Sequence, residues 1–147
     1  MLAGKRLIGL DLGTKTIGVA VSDPMWKLAM PVETIRRGKL SADLRRLREL
    51  MAERDIGGVV IGLPVGLDGT EGPRCQSARA FGRNLEKALG PTDILYWDER
   101  MSTAAVERRM IDDLDMRRDK RAELIDAHAA AYILEGALDA LAKFKPA

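Results

Sequence analysis

The sequence predicts an α/β fold: a mixed five-stranded sheet, antiparallel over its first three strands and parallel thereafter, flanked by helices. Three observations predict it. Two alternating apolar segments near the start are joined by a tight glycine turn, so an antiparallel hairpin comes first. From residue 41 onward, helical periodicity alternates with short apolar runs, as in a parallel sheet covered by helices. No internal repeat, linker or break in composition divides the 147 residues, which are expected to form one domain, 1–147.

Taken in order, Lys5 to Gly13 sets Leu7, Gly9, Asp11 and Gly13 against Ile8, Leu10 and Leu12, a strand with one small-residue face. Ile17 to Ser22 alternates again, and the turn Gly13-Thr14-Lys15-Thr16 makes the pair antiparallel. Ala29 to Ile35 is a third strand, placed at an edge by Pro31, which lacks the N–H a central strand needs. Ser41 is positioned to cap a helix carrying Leu44, Leu47, Leu50 and Met51 inward, with Arg45, Arg46 and Arg48 outside. Gly57 to Leu63 is a buried strand, parallel to the first. A turn-rich loop, Pro64 to Pro73, leads to a helix from Cys75 to Leu89 with Ala78, Phe81, Leu85 and Leu89 on one stripe. Ile94 to Trp97 is the fifth strand. A helix from Ser102 or Thr103 to Met110, a charged loop and a last helix from about Arg121 to Ala142 follow.

Composition narrows the function. Hydrophobic residues at 46% and charged residues at 31% fit a soluble globular chain and exclude disorder. Apolar runs stay far below the ~20 residues of a membrane helix, so no membrane partner is expected. The first residues lack the apolar block of a signal peptide. Cys75 alone can form neither an intramolecular disulfide nor a cysteine metal cluster, and a cytoplasmic location is expected. Net charge is only +2, yet basic residues cluster at Arg36-Arg37-Gly38-Lys39, Arg45-Arg46 with Arg48, Arg108-Arg109 and Arg117-Arg118 with Lys120-Arg121. Each cluster alone reads as a solvated face; together, near an acidic site, they suit phosphate backbones.

Three carboxylate positions stand out. Asp11 occupies mid-strand, where aspartate is disfavoured, and its neighbours on that face are glycines that leave room for a ligand. The plain alternative is an edge aspartate in solvent. Asp98 and Glu99 end a strand, where open α/β sheets place ligands. Alternation points them to opposite faces, so one can serve a site while the other pairs with Arg100 or caps the next helix. Asp126 shares a helical stripe with Ala129, Ala130 and Ile133; the alternative is an exposed aspartate near a helix start. Carboxylates gathered from two strands and a helix suit Mg²⁺ or Mn²⁺ better than zinc. A pair of such ions about 4 Å apart serves phosphodiester hydrolysis. A glycine-rich opening hairpin is also how sugar kinases and actin-like ATPases hold phosphates. A phosphotransferase of that kind needs two lobes and a second phosphate hairpin, and this chain has length for one lobe.

Four ordered motifs carry a resemblance to a known family. GLDLGTKTIGVAVSD, VVIGLPVGLDGTEGPRCQSARAFGRNL, WDERMST and IDAHAAAYILEGAL closely resemble the YqgF/RuvX family of pre-16S rRNA nucleases, also called Holliday junction resolvases. The resemblance implies a bacterial, cytoplasmic protein with a ribonuclease H-like fold related to the RuvC resolvase. It implies metal-binding, catalytic acids at Asp11, Glu99 (Asp98 as the alternative) and Asp126, with Mg²⁺ or Mn²⁺, expected as two ions. The GLP…DG…GP loop maps to Gly62-Leu63-Pro64, Asp68-Gly69 and Gly72-Pro73, with a substrate-side role. Thr16 stands where the family commonly has arginine, leaving Lys15 as the turn's phosphate contact. Lys15, Arg100, Arg117, Arg118, Lys120 and Arg121 are the candidate nucleic-acid contacts. The expected activity is metal-dependent cleavage of structured nucleic acid, foremost 5′-end processing of pre-16S rRNA. Holliday junction resolution, which requires a homodimer, and a non-catalytic role in ribosome assembly are the alternatives.

Overall fold

The computed structural model describes residues 5–101 and 118–143, with side chains over 5–101 and 126–143. Strand β1 (Arg6–Leu12) pairs antiparallel with β2 (Thr16–Ser22), which pairs antiparallel with β3 (Ala29–Arg36). After helix α1 (Leu40–Glu53) the chain enters β4 (Ile56–Leu63), parallel to β1. Helix α2 (Pro73–Leu89) then leads to β5 (Ile94–Asp98), parallel to β4. A single 3-10 turn covers Glu99–Met101, and helix α3 spans Arg118–Lys143. The sheet order is β3-β2-β1-β4-β5, the mixed five-stranded sheet that the sequence predicts.

Strand β3 lies at the edge, as Pro31 requires, and its register with β2 shifts between Val19 and Ala20, opposite the proline. Alternation along the strands separates two cores. Ile8, Leu10, Val19 and Ile61 face α1 and α2, meeting Leu47, Phe81 and Leu85. Leu7, Ala20 and Val60 face α3, meeting Ala130, Ile133, Leu134 and Leu138. Because β1 is central and buried, Asp11 does not lie on a solvated edge strand.

Helix boundaries differ from expectation in three places. Helix α1 starts at Leu40 with Lys39 as N-cap, so Ser41 falls inside the first turn and caps nothing. The Asp43 carboxylate reaches back instead, accepting the Gly38 N–H at 3.2 Å. Helix α2 starts two residues before Cys75, because Pro73 brings a preset φ and no N–H to satisfy at the first helical position. Helix α3 is already formed at Arg118, within the segment expected as a loop. The helix expected between Ser102 and Met110 lies outside the described residues. None of the described helices is long and apolar enough to cross a membrane.

Candidate active site

The site forms where the parallel strands end. Asp11 on β1 is paired in register with Gly18 on β2, so both face α3. Gly18 is where the helix comes closest: a Cβ there would overlap the backbone carbonyl of Asp126. The absence of a side chain at Gly18 thus lets α3 lie against the sheet and brings Asp126 beside Asp11. The Thr16 hydroxyl, at the start of β2, donates to Asp126 Oδ2 at 2.5 Å. Thr16, at the position where the resemblance implies an arginine, therefore orients the Asp126 carboxylate.

Asp98 and Glu99 separate as alternation requires. Asp98 accepts the Arg100 guanidinium at 2.7 and 3.0 Å and the Arg100 N–H at 2.9 Å. That pairing holds the Asp98 carboxyl below the usual range. Glu99 turns toward α3, its Oε1 3.1 Å from where a Cβ on Gly62 would stand, beside Ile133. Burial, then the charge of Asp11, pushes Glu99 up to about 6, with Arg74 opposing. Burial, then Asp126, raises Asp11 in the same way, and Arg74 again opposes. Asp11 is thus the middle member of the set, felt by Glu99 on one side and itself feeling Asp126 on the other.

Among the described residues, no three His, Cys, Asp or Glu side chains are gathered into a ready-made metal cluster. One oxygen of Asp126 is engaged by Thr16. The donor chemistry nonetheless fits a hard divalent cation: all the donors are oxygens, and Asp11 and Glu99 carry repelling, partly buried charges that a cation would offset.

The candidate cations are placed unevenly. Lys15 is exposed on the β1–β2 turn. Arg100 is committed to Asp98 and also reaches the Leu67 carbonyl at 3.5 Å. Arg118, Lys120 and Arg121 belong to the first turns of α3, and Arg117 lies outside the described residues. Arg74, which sequence reasoning passed over, is the cation whose charge reaches both Asp11 and Glu99. A signal existed: a basic residue in the first turn of α2 opposes the helix macrodipole, so helix stability does not explain it. A cavity of about 590 Å³ lies at the opposite end of the sheet between Ile56 and Asp93 and contains none of these acids.

A family profile described as RuvX, Holliday junction resolvase, matches residues 5–140. The chain belongs to the RuvX family. A Rhodobacter capsulatus protein named "Putative pre-16S rRNA nuclease" is 61% identical over 136 residues, covering 92% of this chain and 84% of its own. A Rhodospirillum rubrum protein of the same name is 54% identical over 143 residues, covering 97% and 88%. Among solved structures, Thermus thermophilus RuvC in complex with a Holliday junction substrate is 16% identical with a TM-score of 0.63, over 97% of this chain and 99% of its own. The fowlpox virus Holliday junction resolvase is 12% identical with a TM-score of 0.53, over 92% and 99%. At such identities these structures speak for the fold alone, and this RuvX chain has the ribonuclease H-like fold.

Proposed function

We propose that this chain is a single-domain, metal-dependent endonuclease that hydrolyses phosphodiester bonds in structured nucleic acid, acting in 5′-end processing of pre-16S rRNA. The observation that carries the reading is the gathering of three acids against α3: Gly18, opposite Asp11, abuts the Asp126 backbone, and Glu99 lies beside Ile133 of the same helix. The names of the relatives favour precursor rRNA as substrate. Asp11, Glu99 and Asp126 would hold Mg²⁺ or Mn²⁺, expected as two ions. When bound, these ions supply activation of the attacking water and neutralisation of charge on the departing oxygen. The Thr16 hydroxyl would hold the Asp126 carboxylate in place for that role. Lys15, Arg117 and the basic start of α3 (Arg118, Lys120 and Arg121) are the proposed backbone contacts, while Arg100 contributes by fixing Asp98. The setting is the bacterial cytoplasm.

The family description gives Holliday junction resolution a specific claim as a second reading. Symmetric cutting of a junction needs two active sites and hence a homodimer, whereas RNA end processing needs one. The test is cleavage of a 5′-extended 16S rRNA precursor and of a four-way DNA junction with Mg²⁺ or Mn²⁺, wild type against Asp11→Asn. Wild type should cut and Asp11→Asn should lose at least about 100-fold in rate, as for removal of a key electrostatic group. Equal cutting by both would overturn the assignment of Asp11.

A further inference from the structure

At the same end of the sheet as the acids, but on its α1/α2 face, lies a smaller recess. Leu12, Gly13, Thr14, Arg37, Arg74, Ser77 and Ala78 line it, and its volume is about 100 Å³. Small-molecule sites are typically ~300–1,000 Å³, so the recess is small for a whole free nucleotide. Its surface is more apolar than polar, and its polar part comes from two arginines and two hydroxyl-bearing residues. Arg37 is fixed: Nη1 donates to the Gly13 carbonyl at 2.7 Å, and the guanidinium lies 5.6 Å from the centroid of the Phe81 ring. The Arg37 N–H donates to the Lys15 carbonyl at 2.8 Å, which ties the recess to the turn that follows Asp11. Arg74 enters from the first turn of α2 and is exposed. No acidic residue lines the recess.

We propose that this recess binds one phosphate of the nucleic-acid backbone, adjacent to the phosphate cut at Asp11, with Arg37 and Arg74 as the charged contacts and Thr14 and Ser77 as hydroxyl donors. The subsite rests on the nuclease reading above and extends it, because it fixes the direction in which the strand leaves the acids: over the β1–β2 turn toward the start of α2. Planar guanidinium forks suit phosphate oxygens, and Arg37 is held in place before any ligand arrives. Arg74 stands between the two functions, since its charge also reaches Asp11 and Glu99.

The test measures binding rather than turnover. Affinity for a 5′-extended 16S rRNA precursor fragment, and for a four-way DNA junction, is followed by fluorescence anisotropy against salt. The proteins carry Asp11→Asn so that nothing is cut. Each lost phosphate contact lowers the slope of log K against log salt by about 0.7–0.9. Arg74→Gln should lower it by that amount and weaken binding several-fold, whatever the sequence of the ligand. Ser77→Asp, which adds an anion to the recess at an exposed position, should weaken binding at least as much. Arg83→Gln, exposed on the same helix but away from the recess, should change neither. An unchanged slope in Arg74→Gln together with unchanged affinity in Ser77→Asp would overturn the subsite. Loss of affinity with an unchanged slope would overturn it too, by showing a structural effect only. If Asp11→Asn proves to cut like wild type, the assignment of the acids fails, whereas the salt slopes still report on the recess.

Discussion

Gly18→Ala tests the architecture on which the site depends. The added Cβ meets the carbonyl oxygen and carbon of Asp126 and the nitrogen of Ala127, the last at 3.1 Å. These are backbone atoms inside a helix, so no side chain can swing aside. Either α3 lifts from β2 or β2 bends away. Helix α3 holds its place through Ala130, Ala131, Ile133, Leu134, Ala137 and Leu138, packed on the face that carries Leu7 and Val60, and lifting it loosens that core. Overpacking costs about 1–3 kcal/mol, and an overlap with rigid backbone belongs at the upper end. At about 2–4 °C per kcal/mol for a chain of this size, Tm should fall by roughly 6–12 °C. Gly38→Ala is the control: nothing lies within 4 Å of its Cβ. Gly9→Ala should fall between, because its Cβ would come within 2.8 Å of Leu134 Cβ. Circular-dichroism melts read all three. Cleavage assayed well below Tm should drop in Gly18→Ala as well, because Asp126 moves away from Asp11. A Gly18→Ala protein that melts within about 2 °C of Gly38→Ala would refute the close approach of α3.

Three further outcomes follow from the same geometry. Glu99, raised from 4.5 to about 6 in the folded protein, contributes stability below pH 4.5 that is lost as pH rises through 6. In metal-free buffer, Glu99→Gln should therefore be about 1 kcal/mol more stable than wild type at pH 7.5, a value discounted for partial exposure. That advantage should vanish below pH 4.5 in urea titrations, and an equal gain at both pH values would contradict the cause given. Ser22 is buried, accepts the Leu7 N–H at 2.8 Å and donates to the Asp23 carbonyl at 2.9 Å. Ser22→Ala leaves the Leu7 N–H without that acceptor and should cost about 1–3 kcal/mol by the same titration. Thr16→Val removes the hydroxyl that holds Asp126 and should lower kcat more than it raises KM, whereas Thr16→Ser should restore most of the rate; equal loss in both would mean the methyl matters instead.

The fold was legible because its signals are local. Alternation in Lys5 to Ser22, the turn between, Pro31 at an edge and the apolar run ending at Leu63 each act over a few residues, and the sheet obeys them. Opposite facing of Asp98 and Glu99 was legible for the same reason. Ser41 misled because a cap depends on where the helix starts, and this one starts at Leu40 behind Lys39 with no side-chain cap. The contact between Thr16 and Asp126 spans 110 positions, beyond the reach of any periodicity. Arg74 was passed over for a related reason: its partners lie on β1 and just after β5, and only the assembled sheet brings their charges together.

That long span also bears on the order of synthesis. The β1–β2 hairpin, with Asp11 and Thr16, leaves the ribosome early; Asp126 follows 110 positions after Thr16. At ~5–20 residues per second, the delay is roughly 5–20 s. Throughout it, the growing chain exposes the sheet face that α3 will cover and lacks one of its acids. On the proposed assignment of Asp126, the chain is unarmed while it is being made, a useful property in an enzyme that would act on the RNA of new ribosomes. On that assignment, a chain arrested before α3 should be inactive as a nuclease.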